Sequence, residues 1–342
     1  MALRAVEWEA GSERLVLRCG QKTGRRRGGR EMRVGGKGRG LYVAAVVTVL
    51  ASAAMAFAPP SPSPVAVAQQ LSEEELRRQL DALRSSDPSA RVAAAETLGR
   101  RAYAQRREVA PALRELLRND PDWRVRASCG RALGRLGIRD AVPDLVRALR
   151  DPQVDVRVVA AAALWRLPDP AAVPALLELL SDDDAAARQW AVLALGVIRD
   201  QRATQPLVQL LARESTAAVR LDVIRSLGRI GDSGALGALR DVARNASRPA
   251  DERVEAVHAI ASLATPEKVN ALVGMLDEPD RRIRLRVVRA LGDVGDALAL
   301  PAVRRRRERE RDAQIRTALD EAQAAIRGRM GGEGTGPVAP SR

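Results

Sequence analysis

The sequence predicts an all-α protein, an α-α superhelix of about eight helical hairpins that follows an N-terminal export signal. Three observations carry this expectation: a recurring arginine, an apolar stripe around each copy of it, and a near absence of aromatic residues. The arginines are Arg91, Arg126, Arg157, Arg188, Arg220, Arg253, Arg284 and Arg316, at intervals of 31 to 35 residues. A fixed period of that size marks stacked repeats. Aromatics make up 2% of the chain and hydrophobic residues 46%, a balance suited to thin layers of Leu and Ala rather than to a core built on Phe and Tyr.

Taken in order, residues 1–40 are basic and rich in Gly and Arg, and 41–58 (LYVAAVVTVLASAAMAFA) are uncharged and apolar. PPSPSP then breaks any helix, and Ala66-Val67-Ala68 before Gln69 fits a small-x-small cleavage site. Basic flank, apolar stretch and cleavage site are the parts of a secretory signal. Met32 opens a shorter version of the same signal, so a start there leaves 1–31 untranslated. Cleavage within 41–68 predicts an exported protein, periplasmic or extracellular. Left uncleaved, the eighteen apolar residues reach about 27 Å as a helix, enough to span a bilayer. That alternative is an inner-membrane anchor with the repeats outside, the basic flank staying inside in either case.

Residues 69–328 hold the repeats. PALRELLR, VPDLVRALR, VPALLELL, TQPLVQLLA and KVNALVGML have the apolar spacing of a first helix, with Pro111, Pro143, Pro174, Pro206 and Pro301 at or near the openings, where a missing N–H costs least. Asp120-Pro121, Asp151-Pro152, Asp182 to Asp184 and Glu278-Pro279 mark turns, their acidic groups also capping the helix that follows. The second helix carries the arginine, with apolar or small residues at −1, +3, +7 and +10 from it, one stripe of a helix and not the alternation of a strand. Leu98, Leu133, Leu164, Leu195, Leu227, Ile260 and Leu291 hold position +7. Gly99, Gly134, Gly196, Gly228 and Gly292 come next, where glycine suits an exit turn. The last unit has Gln323 in the leucine slot, as a solenoid cap requires, and a Gly/Pro-rich tail, 329–342, is expected to be disordered.

Residues 120–134 (DPDWRVRASCGRALG) and 278–292 (EPDRRIRLRVVRALG) resemble a HEAT repeat, in its short PBS-lyase HEAT-like variety. The resemblance covers roughly 74–326 and is cleanest over 151–231; at 253 the turn reads SRPADERVEA, without the Asp-Pro pair. It implies a solenoid whose second helices line the inner face, tied by a ladder of acidic residues and arginines. Arg126, Arg157, Arg188, Arg220 and Arg284 are therefore expected to be structural.

The exposed stripe of a second helix falls at +2, +5 and +9. In the middle repeat Trp190, Leu193 and Val197 form an apolar island, flanked by Arg131, Arg135, Arg166, Arg225 and Arg229. Tryptophan and arginine are frequent binding hot spots, so this face is the expected site for a protein partner. Net charge is +14, and residues 281–311 hold eleven arginines against four acids. Arg304, Arg305, Arg306 and Arg307 are thus a candidate anionic-partner patch, attractive to an acidic protein, with i,i+4 ion pairing as the alternative. Nucleic acid is not expected outside the cytoplasm; membrane contact is expected only through an uncleaved anchor or this basic end.

No catalytic constellation is visible. His258 is the single histidine, whereas Zn or Fe sites need several ligands, so no cofactor and no metal are expected. The di-iron HEAT hydroxylases hold their metal with several His-Glu pairs, which this sequence lacks. The PBS-lyase resemblance implies bilin attachment in relatives but transfers no catalytic residue here. An exported, non-catalytic scaffold is the leading expectation; a lyase-type accessory that handles a prosthetic group, and a membrane-anchored adaptor with an Arg-rich anion-binding end, are the alternatives. Of Cys19 and Cys129, the first goes with the signal, and Cys129 in a small-residue slot reads as a buried structural thiol.

Overall fold

The computed structural model describes the backbone of residues 3–9 and 14–19 and the helical region from Leu71 to Gly332. The expected signal at 41–68, the start at Met32, most of the basic segment 1–40 and the tail beyond 332 lie outside the described residues. Leu3–Glu9 and Arg14–Cys19 pair antiparallel as β1 and β2, with Leu3 opposite Cys19 and Glu9 opposite Arg14. The compositional reading of 1–40 did not anticipate this hairpin.

Sixteen helices follow among the described residues, in eight pairs. The first helices are α1 (Glu73–Ala82), α3 (Arg106–Asn119), α5 (Val142–Ala148), α7 (Val173–Leu179), α9 (Thr204–Arg213), α11 (Leu236–Arg244), α13 (Glu267–Val273) and α15 (Leu300–Arg309). The second helices are α2 (Pro88–Arg101), α4 (Trp123–Leu136), α6 (Val154–Arg166), α8 (Ala185–Ile198), α10 (Ala217–Ile230), α12 (Ala250–Ser262), α14 (Arg281–Val294) and α16 (Ala313–Gly332). Each second helix packs on its own first helix and on the second helices either side, while first helices touch one another far less. The result is the predicted α-α superhelix. Helix α16 continues past the expected boundary at 328, and Pro111 lies inside α3 because that helix starts five residues before it.

Burial follows the predicted stripe. Position +7 is fully buried from Leu98 through Leu291, and +3 is buried from Ala94 through Val287. Position +4 (Ala95, Ala161, Val192, Ile224, Val257, Val288) is equally dry, because each second helix is covered on two sides, by its partner and by its neighbours.

The glycines at +8 do not serve the exit turn. They lie two residues inside the helix ends and face the small residue at +6 of the next second helix. A methyl on Gly99 would stand 2.8 Å from the Ala132 Cα, and one on Gly134 2.8 Å from the Ala163 Cβ. The same holds for Gly196 against Ser226 Cβ (2.8 Å) and Gly228 against Ala259 Cα (2.9 Å). Glycine here allows close helix approach. The turns themselves end in left-handed residues: Gly137 (φ 71°), Gly231 (φ 78°) and Arg199 (φ 60°).

The acidic turn residues divide two tasks the sequence reading had joined. Asp122, Asp184 and Asp280 cap the second helices, accepting from Arg124, Ala187 and Arg282 N–H. Asp120, Asp151 and Asp182 instead receive an arginine from the preceding repeat. Arg91 reaches Asp120 through Nε (2.7 Å) and Nη2 (2.9 Å), Arg126 reaches Asp151 (2.7 and 2.8 Å), and Arg157 reaches Asp182 (2.6 and 3.0 Å). Glutamates take over in Arg188–Glu214, Arg220–Glu252, Arg253–Glu278 and Arg284–Glu310. The remaining guanidinium nitrogen usually binds the chain's own turn, as in Arg126 Nη1 to Asp120 O (2.9 Å). Such buried pairs are costly to break because the partner is left charged and dry. Arg316, in the last described pair, is exposed and has no ion-pair partner among the described residues.

Candidate docking face of the second helices

Stacking the second helices aligns +5 and +9 into two rows that are mostly exposed. Position +2 is not part of the exposed stripe, contrary to expectation. Ser128 and Asp222 are buried there and Trp190 is half-buried, because +2 faces the seam with the neighbouring helix. Asp222 accepts from Gln189 Nε2 across that seam at 2.7 Å.

Trp190 meets Trp165 of α6 edge to face, with ring centroids 5.9 Å apart and planes at 65°. Trp165 stands at +8, where most other pairs carry glycine, so a tryptophan pair fills the α6–α8 seam. The Arg166 guanidinium lies 5.4 Å from the Trp165 ring centroid, a cation–π contact. Leu193 and Val197 are half-buried beside Trp190. Trp165, whose departure from the glycine slot in the sequence marks it as a packing residue, thus packs against Trp190 on the helix that carries Leu193 and Val197.

The five flanking arginines separate into two kinds. Arg131 is 3.7 Å from Glu96, and Arg225 lies between Asp222 (3.4 Å) and Glu255 (3.6 Å). Arg135, Arg166 and Arg229 are exposed, with no ion-pair partner among the described residues. Asp222, three residues before Arg225 on the same helix, is legible in the sequence, whereas Glu96 and Glu255 lie one helix away and are not.

The C-terminal patch is likewise divided. Arg304 and Arg305 are exposed. Arg306 is drawn into the ladder, binding Glu310 at 2.6 Å and Asp277 at 3.1 Å, and Arg307 binds Asp320 at 3.0 Å. Burial works against ionisation of Glu310, but the Asp312 N–H together with Arg306 and Arg284 holds its carboxyl at about 2. At Glu214 the Arg188 guanidinium has the same result, also at about 2.

His258 is exposed, with Nδ1 3.6 Å from Glu255, and Ser262 donates to the His258 backbone carbonyl (3.2 Å) rather than to its ring. Cys129 is fully buried and its thiol is pushed up by that burial. Two open depressions of about 180 and 270 Å³ sit at turn ends near Asp182. No group of three metal-ligating side chains occurs among the described residues, and no described helix is long and apolar enough to cross a membrane.

A sequence model of HEAT repeats matches residues 76–157, 142–221 and 244–324. Among solved structures, an engineered protein from a structural-genomics consortium is 19% identical over 74% of this chain and 79% of its own, with a TM-score of 0.52, a likeness of fold. The complex of CpcE and CpcF of phycocyanin lyase from Nostoc sp. PCC7120 is 22% identical over 79% of this chain and 98% of its own, at a TM-score of 0.43. YibA of Escherichia coli is 18% identical over 86% and 99%, at 0.48. No curated protein sequence matches this chain.

Proposed function

This chain belongs to the HEAT-repeat family, and on that footing we propose that it is an exported, non-catalytic scaffold that docks a protein partner on its second-helix face. The observation that carries the reading is the Trp165–Trp190 pair with Leu193 and Val197 at mid-stack. Large half-buried apolar groups ringed by arginine have the composition of an interface centre. The stacked second helices offer a broad row of exposed side chains at +5 and +9, an area suited to docking a macromolecule.

Capture from a periplasmic or culture-fluid extract, followed by mass spectrometry, tests this. The native chain retains a defined partner; Trp190→Ala combined with Arg229→Glu loses it, and Arg305→Glu keeps it. Retention by the inner-face double variant sinks the site. Export is tested by fractionation and N-terminal sequencing, with Gln69 as the expected first residue; full-length protein in the cytoplasmic fraction would contradict it.

A further inference from the structure

We infer that the partner segment is extended and acidic, with carboxylates spaced to meet Arg135, Arg166 and Arg229 and an apolar residue set over the Trp190 island. This rests on the docking face proposed above. The three arginines occupy +9 on α4, α6 and α10, and Val197 occupies +9 on α8 between the last two. All three are exposed without an ion-pair partner among the described residues, whereas Arg131 and Arg225 are already held by Glu96, Asp222 and Glu255. The face thus carries uncompensated positive charge in one row, interrupted at a single apolar step.

Geometry fixes the spacing. Packed helices lie about 8–10 Å apart, and a chain in the polyproline II conformation advances about 3.1 Å per residue with three residues per turn, so that every third side chain faces the same way. One helix step therefore equals about three residues. A segment crossing the row meets Arg135 with its first residue, Arg166 with the fourth, the Val197–Leu193–Trp190 island with the seventh and Arg229 with the tenth. Acidic residues at the first, fourth and tenth positions and a leucine-sized residue at the seventh match that row. Carboxylate–guanidinium bonds are directional and set register; the apolar step distinguishes such a segment from a plain polyanion.

The test is fluorescence anisotropy on the purified full chain with three labelled ten-residue peptides in a Ser/Gly background. The first has Glu at 1, 4 and 10 and Leu at 7. The second has the same composition with Leu moved to position 1 and its Glu to position 7. The third has Gln in place of Glu. The first is expected to bind, and Arg135→Glu, Arg166→Glu, Arg229→Glu and Trp190→Ala are each expected to weaken it about tenfold or more. Arg77→Glu, exposed on the first helix α1, should leave binding unchanged, and thermal melts verify that each variant is folded. Equal binding of the rearranged peptide, insensitivity to the three reversals, or equal competition by a heparin fragment overturns the inference. Tight binding of the Gln peptide that is lost in Trp190→Ala also overturns it, while leaving the docking face itself intact. Absence of binding by all three peptides overturns the acidic assignment, and the capture experiment then decides the face separately.

Discussion

Glu252 stands one residue before Arg253, yet it closes on Arg220 of the preceding repeat, its Oε1 accepting from Nε at 2.9 Å and Nη2 at 2.7 Å. Elsewhere the receiving carboxylate lies in the turn, six residues before the next arginine. Here the turn has no acid, so the second helix supplies it, and Arg253 Nε binds Ala243 O, in the preceding helix, instead of a turn carbonyl. Arg248 also binds Glu252 at 3.1 Å. Glu252→Ala strands two arginines, one of them well buried, and is expected to cost about 3–5 kcal/mol. Urea unfolding measures this; a loss below ~1 kcal/mol would make the ladder decorative.

Arg284 and Arg316 occupy the same place in the repeat and should behave differently. Arg284 pairs with buried Glu310, while Arg316 is exposed in the last described pair. Arg284→Ala leaves Glu310 with Arg306 and the Asp312 N–H and is expected to cost about 1–3 kcal/mol, against no more than about 0.5 kcal/mol for Arg316→Ala. Equal costs would show that position in the repeat, not pairing, sets the effect.

Gly134→Ala forces a methyl to within 2.9 Å of the Ala163 backbone. Helix propensity alone would make the change favourable by up to about 1 kcal/mol; overpacking at the seam is expected to reverse the sign and cost about 1–3 kcal/mol. Gly237→Ala, with open space around it, should be neutral or stabilising. A stabilised Gly134→Ala would remove the close-approach explanation.

Acid should weaken the stack over a defined window. Glu214 and Glu310 fall from an ordinary value of 4.5 to about 2, and Asp182 and Glu252 are also lowered. A depressed folded-state value means the stabilisation is complete above about pH 4.5 and is lost as pH falls toward 2. Thermal melts across that range should show a falling midpoint, less steep in Arg188→Ala. A midpoint flat down to pH 2 contradicts the sign.

Cys129 is fully exposed only when α4 leaves its neighbours, since its side chain is wholly buried in the fold. In a Cys19→Ser background, Ellman's reagent should react with it at the rate of unfolding and not faster. Rapid labelling of the native chain would show that the α2–α4 seam opens locally.

Period and stripe were legible because each is written in one-dimensional spacing: arginines 31 to 35 residues apart, leucine at +7. The sequence by itself thus determined the helical hairpins, their number and the face each buries, since side-chain direction along a helix is set by local geometry. Only the tertiary structure decided which acid answers which ladder arginine, that glycine at +8 serves a small residue of the neighbouring helix and not its own turn, and that Arg131 meets Glu96 while Arg135, Arg166 and Arg229 have no ion-pair partner among the described residues. Those outcomes depend on atoms one repeat away, whose distances arise from how closely adjacent helices approach, and no spacing along a single chain encodes that.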